Sequence, residues 1–359
     1  VNDPTVTTRV TPYVLEEDAV RVLDQRFLPA QENWRVVRTA EEMADAIRTL
    51  AVRGAPLLGA MAAYGMWLGA VRARDGDRTH LDAAVAGARA LLGRSRPTAV
   101  NLFHALERCD AALATAPGDP EARVAALKAC ADGVARADRE ACRALALHGA
   151  RHLPDEGGVL THCNAGALAT CGVGTALGVI RAALALGKRL KVYADETRPL
   201  LQGARLTAWE LMQDSIDVTI LPDGAAAHLV WRGSIQAAVV GADRIARNGD
   251  VANKVGTSGV ALACHRHGVP LWVAAPLTTV DPRTPDGRAI PIEERADDEV
   301  TGPPGGPPWA PTGVKVFNPA FDVTEASLVH GIITEVGVAQ PVTPATLAAL
   351  LAQAPAGTN

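Results

Sequence analysis

A cysteine stands in the run Thr161-His162-Cys163-Asn164-Ala165-Gly166-Ala167-Leu168-Ala169-Thr170, directly after a Gly-Gly-Val-Leu segment that reads as a short strand. In an open α/β sheet, the turn that leaves a strand is where ligands meet the protein. A thiol at such a point faces the free amides and positive dipole end of a following helix, both of which favour thiolate. Cys163 is therefore the first catalytic candidate. A cysteine taken at random is more often a small buried hydrophobe, but the polar neighbours Thr161, His162, Asn164 and Thr170 shift the balance toward chemistry. Adjacent strand residues point to opposite faces, so His162 is read as a structural or supporting residue.

The second candidate is Asp243 in Val240-Gly241-Ala242-Asp243-Arg244, again directly after an apolar strand-like run. Burial there would raise the pKa of its carboxyl and let it hold a proton near neutrality, as a general acid must. The competing reading is an Asp that caps the next turn, which is the commoner fate of an isolated Asp. Downstream, Asn248-Gly249-Asp250 marks a turn, and Asn253-Lys254 lead into Gly256-Thr257-Ser258-Gly259, a segment whose amides suit phosphate.

Two arginines precede apolar helical runs, Arg53 in Arg53-Gly54-Ala55-Pro56 and Arg96 in Ser95-Arg96-Pro97-Thr98. A helix start plus a guanidinium is a ready anion site. Either alone could be a solvated helix entry, but the two together point to an anionic ligand. The run Tyr193-Ala194-Asp195-Glu196-Thr197-Arg198-Pro199-Leu200-Leu201-Gln202-Gly203-Ala204-Arg205 adds carboxylates and arginines, some expected to pair with one another. Its uncharged Gln202 is the preferred ligand contact.

The elements that must carry these residues follow from periodicity. Apolar residues recur at helical spacing through 40–50, 57–71, 81–92 and 99–114, after a β-like opening at 6–15, and a longer helix is expected over 120–148. Pro97 suits the first turn of its helix. From residue 159 the pattern becomes strands at 159–162, 190–194, 218–221, 237–240 and 271–274 alternating with helical stretches, which predicts a parallel sheet covered on both faces. Cys163-Asn164, Asp195-Glu196-Thr197-Arg198, Asp223-Gly224 and Gly241-Ala242-Asp243-Arg244 fall at the carboxyl ends of the first four of these strands. A mostly helical N-terminal domain over 1–125 and an α/β domain over 126–359 are expected, with the long helix as connector. The Pro- and Gly-rich stretch at 301–308 reads as a surface loop and little else.

Composition narrows the function. The chain has 359 residues, 35 Lys and Arg against 39 Asp and Glu, and a net charge of −4, with no basic tract for nucleic acid. Its six cysteines are irregularly spaced without a CxxC pair, so neither zinc site nor disulfide framework is indicated and a reducing cytoplasm fits best. No GxGxxG opens a strand-helix unit and no P-loop is present, which removes support for nicotinamide binding and nucleotide hydrolysis. The N-terminal run lacks a basic start and apolar core, and apolar stretches are broken too early to span a bilayer, so a soluble protein without membrane partner is expected.

Taken together, Val52-Arg53-Gly54-Ala55-Pro56, Ser95-Arg96-Pro97-Thr98-Ala99-Val100-Asn101-Leu102, the Cys163 run, Glu196-Thr197-Arg198-Pro199, Gly241-Ala242-Asp243-Arg244 and Asn253-Lys254-Val255-Gly256-Thr257 resemble the S-methyl-5-thioribose-1-phosphate isomerase family of methionine salvage. His104 and Ser258 depart from residues usual in that family. The resemblance implies a helical N-terminal domain, a Rossmann-like C-terminal domain, a homodimer and no metal or redox cofactor. It implies Cys163 and Asp243 as the catalytic pair, with Arg53, Gly54, Ala55, Arg96, Gln202, Asn253 and Lys254 contacting substrate.

The implied reaction is an aldose-ketose isomerisation. Because phosphate on the C1 oxygen blocks ordinary opening to an aldehyde, an acid must protonate the ring oxygen, the role expected of Asp243. Cys163 would then move a proton between C2 and C1 through an enediol, or support a hydride shift. Three rivals stand beside it: ribose-1,5-bisphosphate isomerase, a regulatory subunit of a translation-initiation exchange factor that binds without turnover, and, more distantly, an NAD-dependent dehydrogenase.

Overall fold

Helix starts are written into this chain as side-chain caps. Thr39 accepts from the Glu42 amide at 3.1 Å, Asp77 from His80 at 2.8 Å and Asp119 from Ala122 at 2.9 Å, each satisfying an amide that the helix itself leaves free. In the computed structural model, which describes residues 5–302 and 306–354, these caps open α1 (Ala40–Arg48), α3 (Arg78–Ser95) and α5 (Pro120–Ala150). Between them lie α2 (Ala55–Arg72) and α4 (Val100–Thr115). Nearly all of α2 is buried, as expected for a helix apolar on every side, and the other four pack around it.

The β-like opening is a three-stranded antiparallel sheet of β1 (Tyr13–Glu16), β2 (Ala19–Leu23) and β3 (Trp34–Val37). Periodicity anticipated a single extended stretch over 6–15, since Glu16, Arg21 and Arg35 interrupt the apolar runs of these three strands. Pro97 lies in a turn ahead of α4 instead of in its first turn, and Arg96 closes α3.

From here the chain alternates through β4 (Glu156–Thr161), α6 (Ala176–Ala185), β5 (Arg189–Asp195), α7 (Ala208–Gln213), β6 (Val218–Leu221), α8 (Ala226–Trp231) and β7 (Ala237–Val240). It continues through β8 (Arg244–Ala246), β9 (Val251–Lys254), α9 (Thr257–Arg266), β10 (Leu271–Ala274), β11 (Val280–Asp281), α10 (Asp298–Thr301) and β12 (Phe321–Thr324). It ends with β13 (Gly331–Thr334), β14 (Gly337–Ala339) and α11 (Pro344–Leu351).

Seven strands form the main sheet in the order β14-β13-β10-β7-β4-β5-β6, parallel except for β14. Its central strands are apolar on both faces. Val159, Val239, Trp272 and Ile333 pack toward α5 and α6, while Leu160, Val240, Val273 and Ile332 pack toward α8, α9 and α11. That double covering is what an all-apolar run demands. All five expected strands are present, and β4 begins at Glu156, ahead of the expected start.

The chain enters the sheet at β4, builds outward to β6, then returns to β7 on the other flank of β4. Diverging connections leave a crevice at the carboxyl ends of β4 and β7. A second sheet, β11-β8-β9-β12, stands beside it. Its β8-β9 hairpin turns at Asn248-Gly249-Asp250, where the Asp250 carboxylate accepts from Gly287 and Ala326 amides, both at 2.9 Å.

Helix α5 joins the two halves of the fold. At 31 residues it is ~46 Å long; Leu127 and Ala131 belong to the helical core, Leu145 and Ala146 to the core beneath the sheet. Among the described residues, no helix is long and apolar enough to cross a membrane.

Gly54 marks the tightest approach between the halves. Its φ is +98°, and a Cβ there would lie 2.5 Å from Ala169 Cα. Gly54→Ala is expected to lower stability by about 2 to 3 kcal/mol through overpacking and backbone strain. The check is a denaturant midpoint that falls while the m-value holds.

Candidate active site

Cys163 follows β4 and Asp243 follows β7, so the two candidates stand on either side of the crevice. Cys163 has φ +64°, an uncommon conformation for a residue with a side chain. Its backbone is held on both sides: the amide donates to Thr197 Oγ1 at 2.9 Å, and the carbonyl accepts from Thr207 Oγ1 at 2.6 Å. Asp243 is anchored by its amide, which donates to Ala252 O at 2.9 Å across the β8-β9 hairpin.

The helix expected directly after Cys163 is not there. Residues 163–175 form a loop with a single short turn, and α6 begins only at Ala176. Arg53 and Lys254 supply the charge that favours thiolate instead; burial outweighs them and pushes the thiol above its ordinary pKa. Burial also raises the carboxyl of Asp243, against the pull of Arg96, Arg53 and Lys254. Lys254 is lowered by its own burial, which the negative charges of Cys163 and Asp243 oppose. Burial thus moves the Asp243 carboxyl in the direction a general acid needs, as expected of its position after a strand.

All nine candidate residues line two adjoining hollows. A cavity of about 1100 Å³ exposes Arg53, Gly54, Arg96, Cys163, Gln202, Asp243 and Lys254, and a deeper recess of about 40 Å³ adds Ala55 and Asn253. Gly54 ends its loop with no side chain capping α2, leaving the first amides of that 18-residue helix beside Arg53. Arg96 makes an ion pair with Glu293 at 3.5 Å, and its Nε is buried without partner. Gln202 Oε1 is likewise buried and unpartnered. Asn253 Nδ2 donates to Thr257 Oγ1 at 3.0 Å.

Three expectations change. The amides of Gly256 and Ser258, read as phosphate donors, are taken by Asp322, which accepts from them at 2.7 and 3.2 Å. The charges after β5 do not pair with one another. Arg205 donates to the carbonyls of Gln25, Arg26, Leu28 and Leu200, and Arg198 to those of Pro199 and Val300. The Pro- and Gly-rich stretch is more than a surface loop, because Thr301, Gly302, Gly306 and Pro308 border the main cavity. Residues 303–305 of that stretch, like residues 1–4 of the N-terminal run, lie outside the described residues.

His162 is buried behind Cys163. Nδ1 meets Asp195 Oδ2 and Nε2 meets Val255 O, both at 2.9 Å. Two acceptors call for two ring protons; burial works against that charge, but Asp195 prevails and raises the histidine above its ordinary value. Asp223 stands close enough to make a three-ligand cluster with them, yet both its oxygens already accept from the Thr197 and Arg198 amides at 2.7 Å. The histidine thus ties β4, β5 and the loop after β9 together, a structural place as its strand position predicted.

A profile of the Initiation factor 2 subunit family matches residues 51–341. The chain belongs to that family. A methylthioribose-1-phosphate isomerase of Albidiferax ferrireducens is 51% identical over 340 residues, 94% of this chain and 95% of that protein. The solved 5-methylthioribose 1-phosphate isomerase from Pyrococcus horikoshii OT3 superposes with a TM-score of 0.90 at 39% identity, covering 97% of each chain. A structure titled translation initiation factor eIF-2B, subunit delta, from A. fulgidus gives 0.84 at 42% identity, covering 94% of this chain and 99% of that one.

Within this family fold, sequence reasoning missed the residues that brace the site from behind. Thr207 and Glu210 come from the π-helical turn Gly203–Thr207 and α7. Glu210 sits in an ordinary apolar helix with no local signal, and only tertiary contact reveals it. Gln25, whose Nε2 donates to Leu168 O at 2.7 Å, comes from the loop after β2 and was equally silent.

The charge assignment can be tested on the thiol itself. Lys254→Met removes a charge that favours thiolate, so the pH midpoint for alkylation of Cys163 should move up from a wild-type value already above that of a free thiol. Alkylation profiles followed by peptide mass measure this, and a midpoint that stays or falls rejects the role of Lys254.

Proposed function

We propose that this chain converts S-methyl-5-thio-α-D-ribose 1-phosphate to S-methyl-5-thio-D-ribulose 1-phosphate in methionine salvage, acting as a cytoplasmic homodimer. The observation that carries this reading is the meeting of Cys163 and Asp243 across one crevice, beside the cations Arg53, Arg96 and Lys254. In this reading Asp243, its carboxyl raised by burial, protonates the ring oxygen so that a sugar whose C1 oxygen carries phosphate can open. Cys163 transfers the proton between C2 and C1, or supports a hydride shift between the same carbons.

Arg53, Arg96 and Lys254 hold the phosphate together with the free amides at Gly54 and Ala55, the geometry that helix starts offer anions. Gln202 and Asn253 meet the sugar hydroxyls. The methylthio end is favoured over a second phosphate by the company it would keep. Leu28, Leu200, Leu201 and Leu206 line the cavity, while Arg205 there is spent on carbonyls and Arg26 on Asp24. We assign the phosphate-binding arginines to an N-terminal domain over 1–125 and the catalytic pair to 126–359, with the division inside α5.

Cys163→Ser and Asp243→Asn keep shape but lose the ionisable thiol and the exchangeable proton. Each should fold, retain affinity for the sugar phosphate and lose at least about a hundredfold in turnover. Arg96→Ala should raise KM by roughly ten- to a hundredfold, the worth of one charge-assisted hydrogen bond. The deciding assay compares wild-type turnover of this substrate with that of ribose 1,5-bisphosphate. Preference for the bisphosphate selects the other isomerase, and binding without turnover selects a regulatory subunit. Sedimentation as a monomer at assay concentration rejects the dimer.

A further inference from the structure

Arg53 does not reach the cavity unaided. Its Nη1 donates to Asn164 Oδ1, and its Nη2 to the Asn164 backbone carbonyl at 2.7 Å. An asparagine amide has a donor end and an acceptor end, so what holds the acceptor toward Arg53 must lie on its far side. There, Asn164 Nδ2 points at Thr207 Oγ1 at 3.2 Å and Glu210 Oε1 at 3.3 Å. The Thr207 hydroxyl spends its proton on the Cys163 carbonyl, leaving Asn164 only lone pairs. A carboxylate offers only acceptors, and the other Glu210 oxygen takes the Leu168 amide at 3.1 Å. Both neighbours therefore demand a donor, and Oδ1 is left for the guanidinium.

Glu210 is in turn fixed by packing and charge. It is fully buried, outside the lining of either hollow. A Cβ on Gly166 would fall 1.3 Å from its Oε1, so the Cys163 loop can close around the carboxylate only with glycine there. Arg181 approaches at 3.9 Å and is tied to Asp214 at 2.6 Å. Asp214 accepts from the Thr8 hydroxyl at 2.9 Å and the Arg9 amide at 2.7 Å. A buried carboxylate kept with so distant a cation is costly unless its hydrogen bonds are used, and here they go to the loop that carries Cys163 and Asn164.

We propose that Glu210 and Asn164 are positioning residues that aim the Arg53 guanidinium at the anionic group of the substrate. The inference rests on the isomerase reading for its ligand and on the hydrogen-bond chain for its mechanism. Because both residues act through Arg53, their loss weakens binding of the phosphate far more than it slows the proton transfer.

The test is steady-state kinetics with S-methyl-5-thioribose 1-phosphate on Asn164→Ala and Glu210→Gln, each alone and combined with Arg53→Ala. Each single variant should raise KM about tenfold with kcat changed much less, the loss of part of one charge-assisted hydrogen bond. Neither should add to the KM of Arg53→Ala, since residues acting through one another are not additive. A purely structural role would lower the melting temperature without this split and would overturn the proposal, as would the full effect persisting without Arg53. If Asn164→Ala fails to fold, Glu210→Gln carries the test. A second readout is independent of turnover: phenylglyoxal should modify Arg53 faster in either variant than in wild type, scored by peptide mass. Should wild type not turn over the sugar phosphate, the isomerase reading fails alone, and equal phenylglyoxal rates would then reject the positioning role.

Discussion

The reversal of strand order at β4 is the constraint on which the rest depends. Strands are added on one side of β4 as far as β6 and then on the other from β7, so the connections leaving β4 and β7 diverge and cannot close over the sheet between them. The gap needs residues that are content to be partly dry and partly polar. The loop after β4 brings Cys163 and Asn164, and the hairpin after β7 brings Asp243 and Lys254. The helical half lids this gap from the side. Arg53 enters beside the start of α2, and Arg96 from the junction of α3 and α4, so neither half holds a complete set of groups. Contacts such as Asn101 Nδ2 to Thr278 Oγ1 at 3.0 Å and Arg244 Nη2 to Thr98 O at 3.0 Å keep the halves in register.

Charge balance inside the gap follows from that placement. Arg53 and Lys254 hold down both Cys163 and Asp243, while burial pushes both up and prevails. An anion held by the same cations draws on the same positive charge. In the proposed reaction, the phosphate would therefore leave Asp243 still more inclined to keep its proton, which is the state a general acid needs before ring opening. In that reaction, substrate binding and acid strength would be coupled through Arg53, Arg96 and Lys254.

How much of this was legible in the sequence depends on the range of the interaction involved. Long amphipathic or wholly apolar stretches declared α1 to α5 and the strands β4, β5, β6, β7 and β10, because burial of alternate or helically spaced residues is a local pattern. The turns that carry the nine candidate residues were legible for a related reason: glycine, proline and charge mark the strand ends and helix boundaries where they sit. Strands β1 to β3 each carry a charged residue, and β13 and β14 each open on glycine, which breaks the apolar run that marks a strand. The local environment of Cys163 was misread, since nothing near it in sequence tells that α6 starts late and that its compensating charges arrive from Arg53 and Lys254. The capture of the Gly256 and Ser258 amides by Asp322 was invisible for the same reason, its partner lying far along the chain.

The braces behind the site explain why a strained loop can nonetheless be rigid. Cys163 and Thr197 both sit at positive φ, +64° and +65°, at the ends of neighbouring parallel strands, and each such conformation costs on the order of 1 to 3 kcal/mol. The same two residues are joined by the Cys163 amide and the Thr197 hydroxyl, whose own proton goes to the Asp195 carbonyl at 3.0 Å. Asp195 meanwhile grips His162, and His162 the carbonyl of Val255 next to Lys254. Strain at one strand end is thus held by hydrogen bonds to the next, and the chain of contacts ends on the lysine that tunes the thiol. A loop left to solvent would relax out of these conformations; tied to Thr197 and Thr207 through the Cys163 amide and carbonyl, this one holds them.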